Sequence, residues 1–82
     1  MFRSRWGISE VRGQYLAFIY AYTKINRRPP AERDMQRFFE VTPPSAHRMV
    51  KELETKGLIR RTPRTARSIA LLVAPDDLPV LR

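Results

Sequence analysis

Residues 42–57 read TPPSAHRMVKELETKG, and the prediction of the fold starts from this stretch. Its apolar residues recur every three or four positions, which is the period of a helix with one buried face. Thr42 can cap the start, proline is tolerated in a first turn, and Gly57 can adopt the positive φ that closes a helix. The stretch therefore predicts a helix that ends at Lys56. Its inward positions are predicted to be Ala46, Met49, Val50 and Leu53.

Two further helices are predicted before this stretch. The first begins near Ser9, which can act as N-cap, and ends near Asn26 because two prolines follow at 29–30. Its apolar face is predicted to consist of Val11, Tyr15, Phe18, Ile19, Tyr22 and Ile25. The second helix carries Asp34 in its first turn, where a negative charge suits the helix dipole, and ends near Glu40. Its apolar stripe is Met35, Phe38 and Phe39.

After the third helix the pattern changes from helical to extended. Residues 58–59 and 68–73 are predicted to form two strands that are joined by a basic loop. The predicted fold class is therefore mainly α with a small β-hairpin, in the element order of a three-helix winged helix-turn-helix. We expect one domain at 9–73, a basic N-terminal extension at 1–8, and a C-terminal tail or linker stub at 74–82.

The charge balance points to a polyanionic partner. The chain has 16 Lys and Arg against 8 Asp and Glu, a formal net charge of +8. Nucleic acid and anionic membrane surfaces both attract clustered cations, and the remaining alternative is that the charge only keeps the protein soluble. No stretch has the length of a signal peptide or a membrane span, so a cytoplasmic protein is expected.

The composition disfavours an enzyme. The chain has no cysteine and a single histidine, His47, so no ordinary zinc site can be assembled from sulfur and nitrogen ligands. No glycine-rich phosphate loop and no evident pair of catalytic carboxylates is present. We therefore expect no catalytic residues, no cofactor, no metal and no small-molecule substrate.

The face of the third helix opposite its apolar stripe carries cations. Arg48 is the first candidate for base contact, since its planar fork can donate twice to O6 and N7 of guanine. Ser45 and His47 lie near the N-terminal end of the same helix and are the next candidates. Lys51 lies one turn later, where contact with a phosphate is expected instead. The alternative for all of these residues is a solvated helix face.

The predicted hairpin carries a second basic cluster. Its members are Arg60, Arg61, Arg64 and Arg67. No acidic residue lies among them, so their mutual repulsion would be relieved only by solvent, salt or a bound polyanion. Phosphate contact or insertion into the minor groove is expected, with solubility as the alternative. The helical spacing of Phe18, Tyr22, Phe38 and Phe39 predicts core residues and not platforms for stacked bases.

The stretch 28–72 resembles the N-terminal DNA-binding domain of LexA-type SOS repressors. The resemblance is carried by RPP before helix two, by Thr-Pro before helix three, and by KELETKGLI running into the hairpin. It implies a winged helix that reads a palindromic operator. It also places Thr42, Ser45, His47 and Arg48 at the DNA-contacting positions. Two departures are His47-Arg48, where the family carries small or acidic residues, and Ala31, where a better cap is usual.

Members of that family continue into a self-cleaving peptidase domain with a Ser-Lys dyad, and residues 77–81 resemble the approach to it. We therefore expect no self-cleavage, and either a fragment or a stand-alone regulator that forms a homodimer by another route or binds as a monomer. The combined prediction is a repressor that recognises double-stranded DNA. The alternative is a winged helix that docks an acidic protein partner. RNA is disfavoured because its deep A-form major groove does not admit a helix.

Overall fold

The computed structural model describes residues 10–81, so the predicted cap at Ser9 and the extension at 1–8 lie outside the described residues. The described part contains three α-helices, a two-stranded antiparallel sheet and a short 3-10 helix. The predicted three-helix winged helix-turn-helix is confirmed. In chain order the elements are α1 (Glu10–Asn26), α2 (Glu32–Phe39), α3 (Pro43–Thr55), β1 (Ile59–Arg60), β2 (Ala70–Leu71) and a 3-10 turn (Pro75–Asp77).

Helix α1 is the central element of the fold. All residues from 13 to 19 are buried, which one helical face alone could not produce, so the middle of α1 is covered on several sides. The ends are different: Val11 is 57% exposed and Ile25 is 79% exposed. Both belong to the predicted apolar face of this helix, but neither is buried. A helix of 17 residues is roughly 25 Å long, and these two residues lie in its first and last turns, outside the buried stretch.

The turn between α2 and α3 is tight and well capped. Glu40 ends α2 in a left-handed conformation with φ 53°, as the predicted end near this residue requires. Thr42 then caps α3, because its Oγ1 accepts from the Ser45 backbone N–H at 3.3 Å. At the start of α2 the Asp34 carboxylate accepts from the Ala31 N–H at 2.8 Å. This contact satisfies the free amide of Ala31, whose own side chain cannot cap.

Helix α3 has the predicted inner face and ends at Thr55, one residue before the predicted end. Ala46, Val50 and Leu53 are completely buried, and Met49 is half-buried against the same core. Gly57 closes the helix with φ 74°. The side of α3 that faces away from these residues is therefore the side available to a partner.

The wing, which we define as residues 59–71, is shorter in regular structure than predicted. Its strands have two residues each, with Ile59 opposite Leu71 and Arg60 opposite Ala70. The loop between them cannot stay extended, because Pro63 lacks an N–H and both Arg64 and Arg67 have positive φ. Ser68 closes this loop instead: its Oγ accepts from the Thr62 N–H at 3.0 Å.

The aromatic residues cluster between α1 and α2. Phe18 is buried and Tyr22 and Phe39 are half-buried, in agreement with the prediction, whereas Phe38 is 45% exposed at the edge of the cluster. The Phe38 ring still packs on Phe18 with 4.7 Å between centroids.

The residues predicted as a tail also lie against the body, since the Gln14 side chain donates to the Val80 carbonyl at 2.9 Å. Among residues 10–81 no helix has the length and apolar character needed to cross a bilayer.

Candidate nucleic-acid interface

The residues predicted for the third helix lie together on its outer surface. Because α3 buries its other side completely, its N-terminal turns present these side chains outward from the body. All five are exposed: Thr42, Ser45, His47, Arg48 and Lys51. The geometry brings together two hydroxyls, one imidazole and two cations on the outer side of the 13-residue helix α3 and its N-cap.

Arg48 lies on the rim of a shallow depression of about 400 Å³ between α3 and α1. The nearest acid on its own helix is Glu52, one turn later. Glu52 already forms an ion pair with Arg12 of α1. The hydrogen bond from Arg12 is the main cause that holds the pKa of Glu52 below its usual value. The acid beside Arg48 is thus held by Arg12 of α1, and the Arg48 side chain is exposed to solvent.

His47 makes a contact that the sequence did not indicate. Its Nδ1 lies 3.1 Å from the Glu32 carboxylate at the start of α2. The imidazole remains 56% exposed, so the contact orients the ring without burying it. Since Nδ1 is engaged, Nε2 is the ring nitrogen that remains for an external partner.

The four wing arginines divide into two pairs. Arg60 and Arg64 are exposed, and neither has an ion-pair partner among residues 10–81. Arg61 contacts two acids and Arg67 contacts one, and these side chains are only 27% and 26% exposed. The premise that only solvent, salt or a polyanion relieves their repulsion is therefore wrong for Arg61 and Arg67. Their contact with DNA stays a prediction.

The acids that hold these two arginines come from two other helices. Glu32 and Asp34 belong to the first turn of α2, and Glu54 belongs to the last turn of α3. They are 29, 33 and 7 residues away in sequence from their arginines. Of these three acids only Asp34 gave a signal in the sequence, as a favourable charge at a helix start, and that signal says nothing about a wing.

Asp34 combines several interactions in one carboxylate. Burial disfavours its charged form, but the hydrogen bond from the Ala31 N–H and the Arg67 guanidinium outweigh this effect. The pKa of Asp34 is therefore lower than its usual value. The folded structure therefore stabilises the ionised form of the Asp34 carboxyl.

Stability should consequently depend on pH through Asp34. The carboxyl has a pKa of about 3.9 in an unfolded chain and a lower one here, so its contribution is complete above the unfolded value. That contribution is lost as the pH falls through the lower native value. Denaturant midpoints measured from neutral to acidic pH should fall less steeply in Asp34→Asn than in the unsubstituted protein. Parallel curves for the two proteins would contradict this assignment.

Comparison with known proteins identifies a family. The family model described as LexA DNA binding domain matches residues 8–68. The chain is 40% identical over 65 residues to the LexA repressor of Thermosipho africanus and 40% identical over 71 residues to that of Thermosipho melanesiensis. These alignments cover 79% and 87% of this chain but 33% and 36% of the relatives.

A third relative, the LexA repressor of Magnetococcus marinus, is 43% identical over 53 residues, which is 63% of this chain and 23% of the relative. The chain thus spans about a third or less of the length of the three relatives. The family match covers α1, α2, α3, β1 and most of the wing loop. From this match and the fold, the chain belongs to the LexA DNA-binding domain family.

Proposed function

We propose that this chain binds double-stranded DNA at specific sequences as the DNA-binding part of a repressor, with α3 in the major groove. The observation that carries the proposal is the two-sided character of α3. One side is completely buried through Ala46, Val50 and Leu53, while the other exposes Arg48 and Lys51. An α-helix with an exposed polar side fits the width of the B-form major groove.

The exposed residues divide into base contacts and phosphate contacts by their position on α3. Arg48 is assigned to a base edge, with guanine as the preferred partner for its two parallel N–H groups. Ser45 and His47 lie on the first turns and are assigned to neighbouring bases. Thr42 and Lys51 are assigned to phosphates, which fix the register of the helix without reading sequence.

The wing supplies a second contact, along the backbone or in the minor groove. Arg60 and Arg64 are assigned to it because both are exposed cations without an internal ion pair among the described residues. Each would release counterions when it meets a phosphate, or would enter a narrow minor groove. The wing thereby adds affinity, while α3 supplies base recognition.

Selection of bound sequences from a pool of random duplexes tests the proposed function. We expect one enriched motif, and a palindromic motif would mean that two copies bind together. A pool that shows no enrichment, and no duplex retained at moderate salt, would contradict DNA binding. That result would favour the alternative of an acidic protein partner.

Arg48→Ala should weaken binding to the selected duplex by about 1 to 3 kcal/mol and should relax the preference at one base position. Truncation removes both N–H groups of the fork and leaves a base edge unpaired. Lys51→Ala is the comparison, since a phosphate contact should weaken all duplexes equally. Lys56→Ala removes one cation from the other end of α3 and is the control. Equal losses for Arg48→Ala on all duplexes would reassign Arg48 to the backbone.

A further inference from the structure

Both ends of the wing loop contact the first turn of α2. At the end that follows β1, Arg61 Nη1 lies 3.2 Å from Glu32. At the end that precedes β2, Arg67 Nη1 lies 3.0 Å from Asp34. The two acids are separated by a single residue, so one helical turn holds both ends of the loop. This arrangement connects the wing directly to the helix that precedes α3.

The Arg67 side chain has more hydrogen-bond partners than the Arg61 side chain. Besides Asp34, the same Nη1 donates to the Tyr22 hydroxyl at 3.1 Å and to the Pro29 carbonyl at 3.3 Å. The Asp34 side chain is only 14% exposed. Arg67 thus joins the wing to α1, to the loop after α1 and to α2 at one point.

The backbone at Arg67 supports the same interpretation. Its φ of 53° lies in the left-handed region, which is unfavourable for a residue with a Cβ. Such a conformation persists where neighbouring contacts hold it. The three contacts of the Arg67 side chain fix the residue at the point where the loop turns back toward β2.

Arg61 connects the other end of the wing loop to two helices. Its Nη2 lies 3.1 Å from Glu54 at the end of α3, while its Nη1 donates to Glu32 of α2. Glu32 in turn lies against His47 on the outer side of α3. A chain of polar side-chain contacts therefore runs from α3 through α2 to the wing.

We propose that Arg61 and Arg67 are positioning residues that hold the wing beside α3, and that they do not themselves bind DNA. We call the contacts of these two side chains the lock. Arg60 and Arg64 are then the wing residues that meet the duplex, at a place set by Glu32 and Asp34. This proposal rests on the proposed function, because the locked wing is the one presented to DNA. A fixed wing loses less conformational entropy on binding than a mobile one.

Substitution of Asp34 separates this role from direct contact by the sign of the effect. Asp34→Asn removes a negative charge and releases Arg67. If Arg67 bound DNA itself, the variant would bind the selected duplex as tightly as the unsubstituted protein or more tightly. If Arg67 positions the wing, the variant should bind about five- to tenfold more weakly, because a charge-assisted hydrogen bond is lost from the lock.

Tyr22→Phe tests the same lock without touching the cap of α2. It removes one hydroxyl that Arg67 contacts and keeps every charge, the Asp34 carboxylate and the aromatic packing on Phe18. Tyr20→Phe is the matched control, because the Tyr20 hydroxyl contacts only Lys24 among the described residues. Tyr22→Phe should weaken DNA binding in the same direction as Asp34→Asn, and Tyr20→Phe should leave it unchanged.

Hydrogen exchange in the free protein measures the lock independently of DNA. The amides of Thr62 and Thr65 are hydrogen-bonded within the loop, to Ser68 Oγ and to the Thr62 carbonyl. Both should exchange roughly five- to tenfold faster in Asp34→Asn and Tyr22→Phe, while amides of α3 keep their protection. Unchanged exchange at Thr62 and Thr65, or unchanged or tighter DNA binding by Asp34→Asn, would overturn the proposal.

The two measurements also separate this proposal from the proposed function. If the unsubstituted protein retains no duplex, the proposed function fails and the role of the lock in DNA binding fails with it. The exchange rates still report whether Asp34 and Tyr22 hold the loop. If the unsubstituted protein binds DNA and the exchange rates do not change, only the lock is refuted.

Discussion

Leu53→Ala should lower the free energy of unfolding by about 2 to 5 kcal/mol, the usual cost of a large cavity in a core. Leu53 is completely buried and belongs to the one core cluster that joins all three helices to the wing. A domain of 82 residues has a stability of roughly 4 to 12 kcal/mol, so the loss is a large part of the total. Chemical denaturation at neutral pH measures it.

Ile25→Ala is the control for this substitution. Ile25 is also a branched aliphatic residue on a helix, but it is 79% exposed, so its truncation should change stability by less than about 0.5 kcal/mol. A loss at Ile25 comparable to that at Leu53 would mean that the ends of α1 are covered after all. DNA binding by Leu53→Ala should fall only in proportion to the fraction unfolded, because Leu53 lies on the inner side of α3.

The contrast between these two residues shows what helical periodicity can predict. A period of 3.6 identifies the buried face of α3 correctly, because this helix packs on one side only. In α1 the same pattern included Val11 and Ile25, which are exposed, and it omitted Leu16 and Ala17, which are buried. Periodicity describes direction around a helix and contains no information about how far along the helix its neighbours extend.

The wing shows a second limit, which concerns charge. Arg60, Arg61, Arg64 and Arg67 are equivalent in the sequence as one basic cluster. The fold makes them unequal, since α2 brings Glu32 and Asp34 to two of them across about thirty residues of chain. Local sequence predicts that a cluster is cationic, but tertiary contacts decide which cations remain free for a partner. On α3 the same acid, Glu32, contacts His47, whereas Arg48 and Lys51 are exposed and have no ion-pair partner among residues 10–81.

Binding to the selected duplex should weaken steeply with salt. The slope of log affinity against log salt should increase with the number of cations that contact phosphates. With Lys51, Arg60 and Arg64 on phosphates, each domain should give a slope of about −2.7 in log affinity against log salt, at about 0.9 per neutralised phosphate. From about 50 to about 200 mM salt the affinity should then fall about 40-fold per domain, and about 2,000-fold for two copies on a palindrome. Titration of a labelled duplex at four or five salt concentrations measures this slope.

The slope distinguishes a wing with two free arginines from a wing with four. If Arg61 and Arg67 also neutralised phosphates, the slope per domain would be about −4.5 instead of about −2.7. Arg64→Gln should reduce the slope by about one, since it removes a cation that has no internal ion pair among residues 10–81. A slope near zero would contradict phosphate contact altogether, because bound cations must release counterions whatever bases α3 reads.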